Sequence, residues 1–181
     1  RVSLAAGVGW MREEYDLMGQ DFTTRGARLD EMIPALRELW RGGWVSWHGK
    51  HYQVPEMMIE PHPTHPVPIL CGGESEAALR RAARLCDGWV GYAYLLDDAT
   101  GYVRRLSELR REYGRDNEPF QIILALLDPP SPDLYKRAEE LGITAVMCSP
   151  WAGLNLPPGD VERFRAPIER FAENVIEKVR T

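Results

Sequence analysis

The stretch ILCGGESEAALRRA, residues 69–82, decides the fold. A short apolar run ends in two glycines, and a helical pattern begins within three residues. That helix carries Ala78, Leu79, Ala82 and Ala83 on one side, which is the spacing of a buried helical face. A strand that leads directly into an amphipathic helix is typical of α/β proteins with a parallel sheet. The glycine pair is either a tight turn or a place where an anion can approach the backbone.

The same alternation extends to both sides of this stretch. Strands are predicted at 2–6, 67–71, 89–92, 120–127 and 143–148, and we expect those at 2–6 and 120–127 to be buried. Helices are predicted at 28–40, 76–85, from Asp97 or Asp98 to 113, and at 132–141. A last helix is predicted to run to about 179, with Pro167 either starting it or kinking it. Five strands allow an open sheet or the later part of a barrel. We treat residues 1–181 as one domain.

One segment, at about residues 44–67, departs from this alternation. It is rich in Trp, His, Pro and Gly and has no sustained period. It is predicted to be an irregular insertion with a short hairpin at 45–47 and 51–54.

The composition of the chain excludes some classes of function. The 181 residues are 44% hydrophobic and 27% charged, with a net charge of -5 and three cysteines. A negative chain disfavours nucleic acid as a partner. No apolar run reaches the length of a membrane span, and unpaired cysteines in apolar surroundings indicate a cytoplasmic protein. The chain opens at Arg1 in a strand-like run, so we expect it to be a fragment of a longer protein.

The glycine loop, residues 72–75, has a physical reason to bind phosphate. The first amides of a helix lack backbone partners, and the helix dipole favours an anion there. The amides of Gly72, Gly73, Glu74 and Ser75, with the Ser75 hydroxyl, could hold it. Glycine removes the Cβ that would obstruct the approach. The carboxylate of Glu74 is discordant and must point away from an anion.

Four ordered pieces of the chain resemble the luciferase-like monooxygenase superfamily, most closely its coenzyme F420-dependent branch. The pieces are residues 7–15 with 22–31, residues 47–52, residues 61–69, and the run from Gly72 to Trp89. The resemblance implies a (β/α)8 TIM barrel of the bacterial luciferase type that lacks roughly its first three β/α units here. It also implies a cofactor phosphate at the glycine loop.

The loop after the first strand is the second candidate region. Gly7 and Gly9 could let a flat ring lie against the backbone, and the resemblance implies that the cofactor ring lies near Gly7, Gly9 and Trp10. Some deazaflavin-using relatives carry a catalytic Glu and an Asn where this chain has Trp10 and Glu13. Glu13 is the candidate catalytic residue, either bonding the cofactor or donating a proton, although a solvated helix start explains it as well.

Aromatic and charged residues supply further candidates. Trp89, Tyr92 and Tyr94 could line a substrate pocket or simply pack in the core. Arg25, Arg28 and Glu31 suggest an anion site, but the spacing of Arg28 and Glu31 favours a surface ion pair on one helix.

The histidines were considered as metal ligands. His48 with His51, and His62 with His65, have ligand-like spacing, but both pairs lie in loops where this spacing does not bring the rings together. We predict no metal site.

These observations favour an oxidoreductase that transfers hydride through coenzyme F420 to or from a small organic substrate. The alternatives are an FMN-dependent monooxygenase, a phosphosugar isomerase or aldolase-like barrel, and a non-catalytic or truncated cofactor-binding relative. We expect a small-molecule substrate as the partner, and the chain could form a homodimer.

Overall fold

Five parallel strands form the main sheet of the computed structural model, which describes residues 2–154 and 161–179. They are β1 (Leu4–Ala6), β4 (Ile69–Gly72), β5 (Gly88–Tyr94), β6 (Gln121–Leu126) and β7 (Ala145–Val146), hydrogen-bonded in that order. β2 (Val45–His48) and β3 (Gln53–Met57) form a separate antiparallel pair. The pairing order gives β1 and β7 one neighbour each, so a closed barrel and the missing units stay predictions.

Helices connect the strands as the alternation predicted. They are α1 (Arg12–Leu17), α2 (Arg25–Leu39), α3 (Glu76–Leu85), α4 (Leu96–Glu112), α5 (Pro132–Glu140), α6 (Arg165–Phe171) and α7 (Glu177–Val179). Single turns of 3₁₀ helix lie at Phe22–Thr24 and Val161–Phe164, and a π-helical turn lies at Ala172–Ile176. The C-terminal helix is therefore less regular than predicted. Pro167 lies in the first turn of α6, where its missing N–H costs no helical hydrogen bond.

The chain divides into two compact units, each with its own core. One comprises Arg1–Val90 and Arg105–Gln121, and the other comprises Gly91–Arg104 and Ile122–Thr181. The first unit contains the glycine loop and α2. The second contains the buried residues Leu96, Leu124 and Ile143.

Two strand predictions need correction. Val2–Ala6 was predicted to be a buried strand, but β1 begins at Leu4, and Val2 is 74% exposed. The prediction of burial was wrong because β1 pairs on one side only, with β4. The strand predicted at 143–148 shortens to Ala145–Val146, since the Thr144 hydroxyl accepts the Ile122 amide that a longer ladder would use.

The predicted buried face of α3 is confirmed. Ala78, Leu79, Ala82 and Ala83 are all buried, and so is Cys86 just beyond the helix. Small side chains on this face allow α3 to pack closely against the sheet. Arg81 is also buried, with 6% of its side chain exposed, and its guanidinium donates to the Asp30 carboxylate of α2. This ion pair joins the two helices.

The predicted hairpin is present and is held by one carboxylate. Glu31 accepts hydrogen bonds from the backbone amides of His51 at 2.9 Å and Tyr52 at 2.8 Å, and from the Trp47 indole at 3.3 Å. A Cβ at Gly49 would lie 1.8 Å from Glu31 Oε1, so glycine is required there. Glu31 therefore fixes the hairpin on α2, and the predicted ion pair with Arg28 was wrong.

The hairpin is expected to loosen in acid. Partial desolvation opposes the shift, but the amides of His51 and Tyr52 and the Trp47 indole lower the pKa of Glu31 below its ordinary value of 4.5. The stabilisation is complete above the unfolded-state pKa and is lost as the pH falls toward the folded-state pKa. Amide exchange should show full protection at His51 and Tyr52 at pH 6 and a progressive loss of that protection as the pH falls below about 4.5.

Glu31→Gln should make that protection low and independent of pH, whereas Glu56→Gln in β3 should leave it unchanged. Protection that persists in acid in the unchanged protein would contradict the role of Glu31.

Candidate cofactor site

The two glycine-containing loops of the first unit lie at the same edge of the sheet. Ala6 is paired in register with Cys71 in the parallel β1–β4 ladder, so Gly7 lies level with Gly72. Neighbouring strands are about 4.8 Å apart. The loop that follows β1 and the glycine loop therefore start side by side at the carboxyl ends of their strands, where α/β proteins bind ligands.

Gly73 makes the sharp turn between β4 and α3. Its φ of +110° is a conformation that side-chain-bearing residues rarely adopt. A Cβ there would also lie 2.8 Å from the Cβ of Ala78. At Gly72 a Cβ would meet only two backbone oxygens at ordinary distances, that of Val90 at 3.6 Å and that of Ala6 at 4.0 Å. The turn thus requires glycine at 73, whereas the backbone at 72 would accept a Cβ.

Ser75 is the N-cap of α3. Its hydroxyl oxygen accepts the Ala78 amide at 3.2 Å, and its carbonyl accepts the Leu79 amide at 3.0 Å. The amides of Glu76 and Ala77 donate to no described residue and belong to the set that a helix start leaves unpaired. The capping hydroxyl can still donate its own proton to an anion.

Trp89 supports the glycine loop from the core. It is fully buried, and its indole N–H donates to the Gly73 carbonyl at 2.8 Å. We predicted that Trp89 lines a substrate pocket or packs in the core, and in this structure its side chain packs in the core. A role in a substrate pocket stays a prediction. The indole fixes the carbonyl of the Gly73 turn.

The loop after β1 is held by Tyr15. The Tyr15 hydroxyl donates to the Val8 carbonyl, and its ring meets Phe22 edge-on with 5.3 Å between centroids. Gly9 has a φ of +76° and would place a Cβ 3.2 Å from the Tyr15 ring. Gly7 has open space around it, which suits a flat ligand.

The other residues predicted for this loop are exposed. Trp10 is 81% exposed, so it is available to a ligand but is not part of a formed pocket. Glu13 lies on the exposed face of α1, and Glu14, rather than Glu13, faces the neighbouring cleft. A catalytic role for Glu13 stays a prediction.

Tyr92 and Tyr94 belong to the second unit and differ in environment. Tyr92 is 79% exposed. Tyr94 is buried against Tyr102, with ring centroids 5.0 Å apart, and its hydroxyl accepts the Tyr92 amide at 3.0 Å. Tyr92 is therefore the one of the two that a substrate could touch.

The described residues contain no group of three or more His, Cys, Asp or Glu side chains placed to hold a metal ion. Within the same residues, no helix combines the length and the apolar character that crossing a bilayer requires.

A parallel sheet whose strands alternate with helices places the chain in the α/β class of proteins. Comparison with known families gives the assignment within that class. Residues 1–127 match the model of the luciferase-like monooxygenase family, and the chain belongs to this family.

Two curated relatives illustrate the range of the family. The chain is 41% identical over 182 residues to an uncharacterized protein of Mycobacterium bovis, covering 99% of this chain and 62% of that protein. It is 29% identical over 136 residues to pyrimidine monooxygenase RutA of Variovorax paradoxus, covering 71% of this chain and 37% of the relative. The chain thus spans about 62% of the length of its nearer relative.

Two solved structures share the fold. An F420-dependent secondary alcohol dehydrogenase in complex with an F420-acetone adduct matches with a TM-score of 0.61 at 19% identity, over 99% of this chain and 61% of that one. Riboflavin lyase with modified FMN and substrate riboflavin matches with a TM-score of 0.55 at 12% identity, over 70% and 35%. At these identities the likeness concerns the fold alone, which supports the α/β architecture.

Proposed function

We propose that this chain is the cofactor-binding part of an oxidoreductase that transfers hydride through coenzyme F420 to or from a small organic substrate. The observation that carries the proposal is the turn at Gly73, which leads β4 into the start of α3, where the Glu76 and Ala77 amides donate to no described residue. Family membership supports a redox cofactor, and the F420-dependent structural neighbour supports the choice of F420.

The residues of the glycine loop fit a phosphate group. Gly72 and Gly73 present no side chain that would obstruct its approach. The amides from Gly73 to Ala77 and the Ser75 hydroxyl would donate to its oxygens. Trp89 keeps the loop in place through the Gly73 carbonyl. The bound coenzyme would supply a deazaflavin ring that exchanges hydride, and this chain would position that ring and exclude water from it.

The loop after β1 would contact the ring. Gly7 lies level with Gly72 across the β1–β4 pair and is free of neighbours on the side where a Cβ would stand. Trp10 is exposed and could close over a bound ring. Glu13 would need to turn toward the ligand from α1 to act as an acid.

An FMN-dependent monooxygenase is the second candidate. The description of the family and the monooxygenase name of the RutA relative favour it. The same phosphate site serves both cofactors, so the glycine loop does not discriminate between them.

Titration with each cofactor separates the two functions. The purified chain is titrated with coenzyme F420 and with FMN while the visible spectrum and the fluorescence of the ring are recorded. Preferential binding of F420, with a single visible band, supports the proposal. Preferential binding of FMN, with two bands, supports the monooxygenase, and binding of neither contradicts both.

A substitution at Glu74 tests the position of the phosphate through the change in cofactor affinity. Its carboxylate is exposed within the loop and repels an approaching anion. Glu74→Gln should therefore tighten binding of either cofactor by about two- to fivefold at low salt, and added salt should reduce the difference. Glu60→Gln, in the exposed part of the 44–67 insertion, is the control and should change nothing. Unchanged affinity in Glu74→Gln would place the phosphate elsewhere.

A further inference from the structure

A cleft separate from the glycine loop opens beside the carboxyl end of β1. Its volume is about 350 Å³, within the range of small-molecule sites. It lies wholly within the first unit, between the loop after β1, α1, α2 and the hairpin. The residues that matter for its chemistry are Tyr15, Met18, Arg25, Arg28, Met32 and Tyr52.

Two arginines in this cleft lack carboxylate partners. Arg25 and Arg28 form no salt bridge with any described residue. Other arginines of the same unit do form them. These are Arg37, Arg41, Arg80, Arg81, Arg84, Arg105 and Arg115. Two positive charges thus meet one negative residue in the lining, Glu14.

Both guanidinium groups are already fixed in place. Arg25 stacks on the Phe22 ring at 3.6 Å and donates to the Phe22 carbonyl at 2.8 Å. Its Nε is buried and has no hydrogen-bond partner among the described residues. Arg28 donates through Nε to the Tyr52 hydroxyl at 3.3 Å and through Nη1 to Gln20. An arginine has five N–H donors, so both retain donors for a ligand.

The rest of the lining is suited to an apolar ligand body. Met18, Leu29 and Met32 contribute aliphatic and thioether surface, and Tyr15 contributes a ring. Methionine adapts to varied ligand shapes. An anion without an apolar part would leave this surface unused, and a cation would be repelled by the two arginines.

We propose that this cleft binds a small organic anion, in which an apolar or aromatic body carries a carboxylate or a phosphate ester. Arg25 and Arg28 hold the oxyanion through charge-assisted hydrogen bonds, and the methionines enclose the body. The cleft shares Gly7 with the loop proposed to contact the cofactor ring but contains no residue of the glycine loop, and the assignment of Arg25 and Arg28 does not depend on the proposed function.

Amide chemical shifts of the labelled chain test the proposal. Benzoate and phenyl phosphate are the probes, and benzyl alcohol and benzylammonium are the neutral and cationic controls. Both anions should shift the amides of Val8, Tyr15, Arg28 and Tyr52, with little effect from either control. Equal shifts from benzyl alcohol, or anion shifts confined to residues 72–77, would overturn the proposal.

Variants identify the groups that hold the oxyanion. Arg28→Met keeps the side-chain volume but removes the charge, and it should weaken benzoate about tenfold or more. Arg25→Met should do the same, whereas Arg41→Met, at the far end of α2, should change affinity less than twofold. Retained affinity in both cleft variants would contradict the assignment.

The result is separable from that of the cofactor titration. F420 or FMN should bind Arg28→Met as tightly as the unchanged chain. Failure of cofactor binding with intact benzoate binding would count against the proposed function only.

Discussion

Replacing Asp30 with alanine is expected to lower the free energy of unfolding by about 3 kcal/mol. Asp30 receives the guanidinium of Arg81, which is 6% exposed, and also that of Arg84 at 3.3 Å. Without Asp30, Arg81 keeps its 3.2 Å bond to the Gly26 carbonyl but remains charged and buried with no carboxylate partner. Urea unfolding at pH 7 measures the loss.

A solvent-exposed ion pair at the C-terminal end of α2 provides the control. Glu38 pairs with Arg41 at 3.0 Å, but 63% of the Arg41 side chain is exposed, so Glu38→Ala should cost less than about 1 kcal/mol. The double variant Asp30→Ala/Arg81→Met should regain stability, because it removes the unpaired buried charge. Equal losses for Asp30→Ala and Glu38→Ala would show that the Arg81 pair does not hold α2 to α3.

Gly73→Ala is the second variant with a large expected effect. The new residue would have a φ of +110° and a Cβ 2.8 Å from that of Ala78. Strain and overlap together should lower stability by about 2–4 kcal/mol. The Trp89 indole would lose its fixed acceptor as the turn moves, so tryptophan fluorescence should change with it.

Gly72→Ala is the comparison for this variant. Its Cβ would have only ordinary contacts, 3.6 Å from the Val90 oxygen and 4.0 Å from the Ala6 oxygen. Gly72→Ala should lower the free energy of unfolding by less than about 1 kcal/mol. Because this variant stays folded, it can be used to test whether a side chain at position 72 obstructs phosphate binding. A Gly73→Ala variant as stable as Gly72→Ala would contradict the described turn.

The sequence predicted the elements that depend on local pattern. The buried face of α3, the hairpin in the 44–67 insertion and the strand order along the chain all follow from periodicity and turn residues. The glycine loop was also predictable, since a strand, two glycines and a helical stripe occur within 14 residues of sequence. Luciferase-like membership was recognised from four short motifs and is confirmed.

Contacts between distant residues were not predictable. Arg81 and Asp30 are 51 positions apart, and Trp89 and the Gly73 carbonyl are 16 apart. The choice for Trp89 between a substrate pocket and the core stayed open, because an aromatic residue on a strand can face either side of the sheet. Glu31 was paired with Arg28 by helical spacing, but unpaired hairpin amides nearby bind the carboxylate instead. Such choices depend on tertiary packing, which periodicity does not reveal.

The central claim is that the amides at the start of α3 hold the phosphate of a redox cofactor. A crystal structure of the protein grown with coenzyme F420, and one grown with FMN, tests it most directly. We predict phosphate oxygens about 3 Å from the amide nitrogens between Gly73 and Ala77, with the Ser75 hydroxyl donating to one of them. A phosphate bound elsewhere on the protein, with these amides left facing solvent, would contradict the claim.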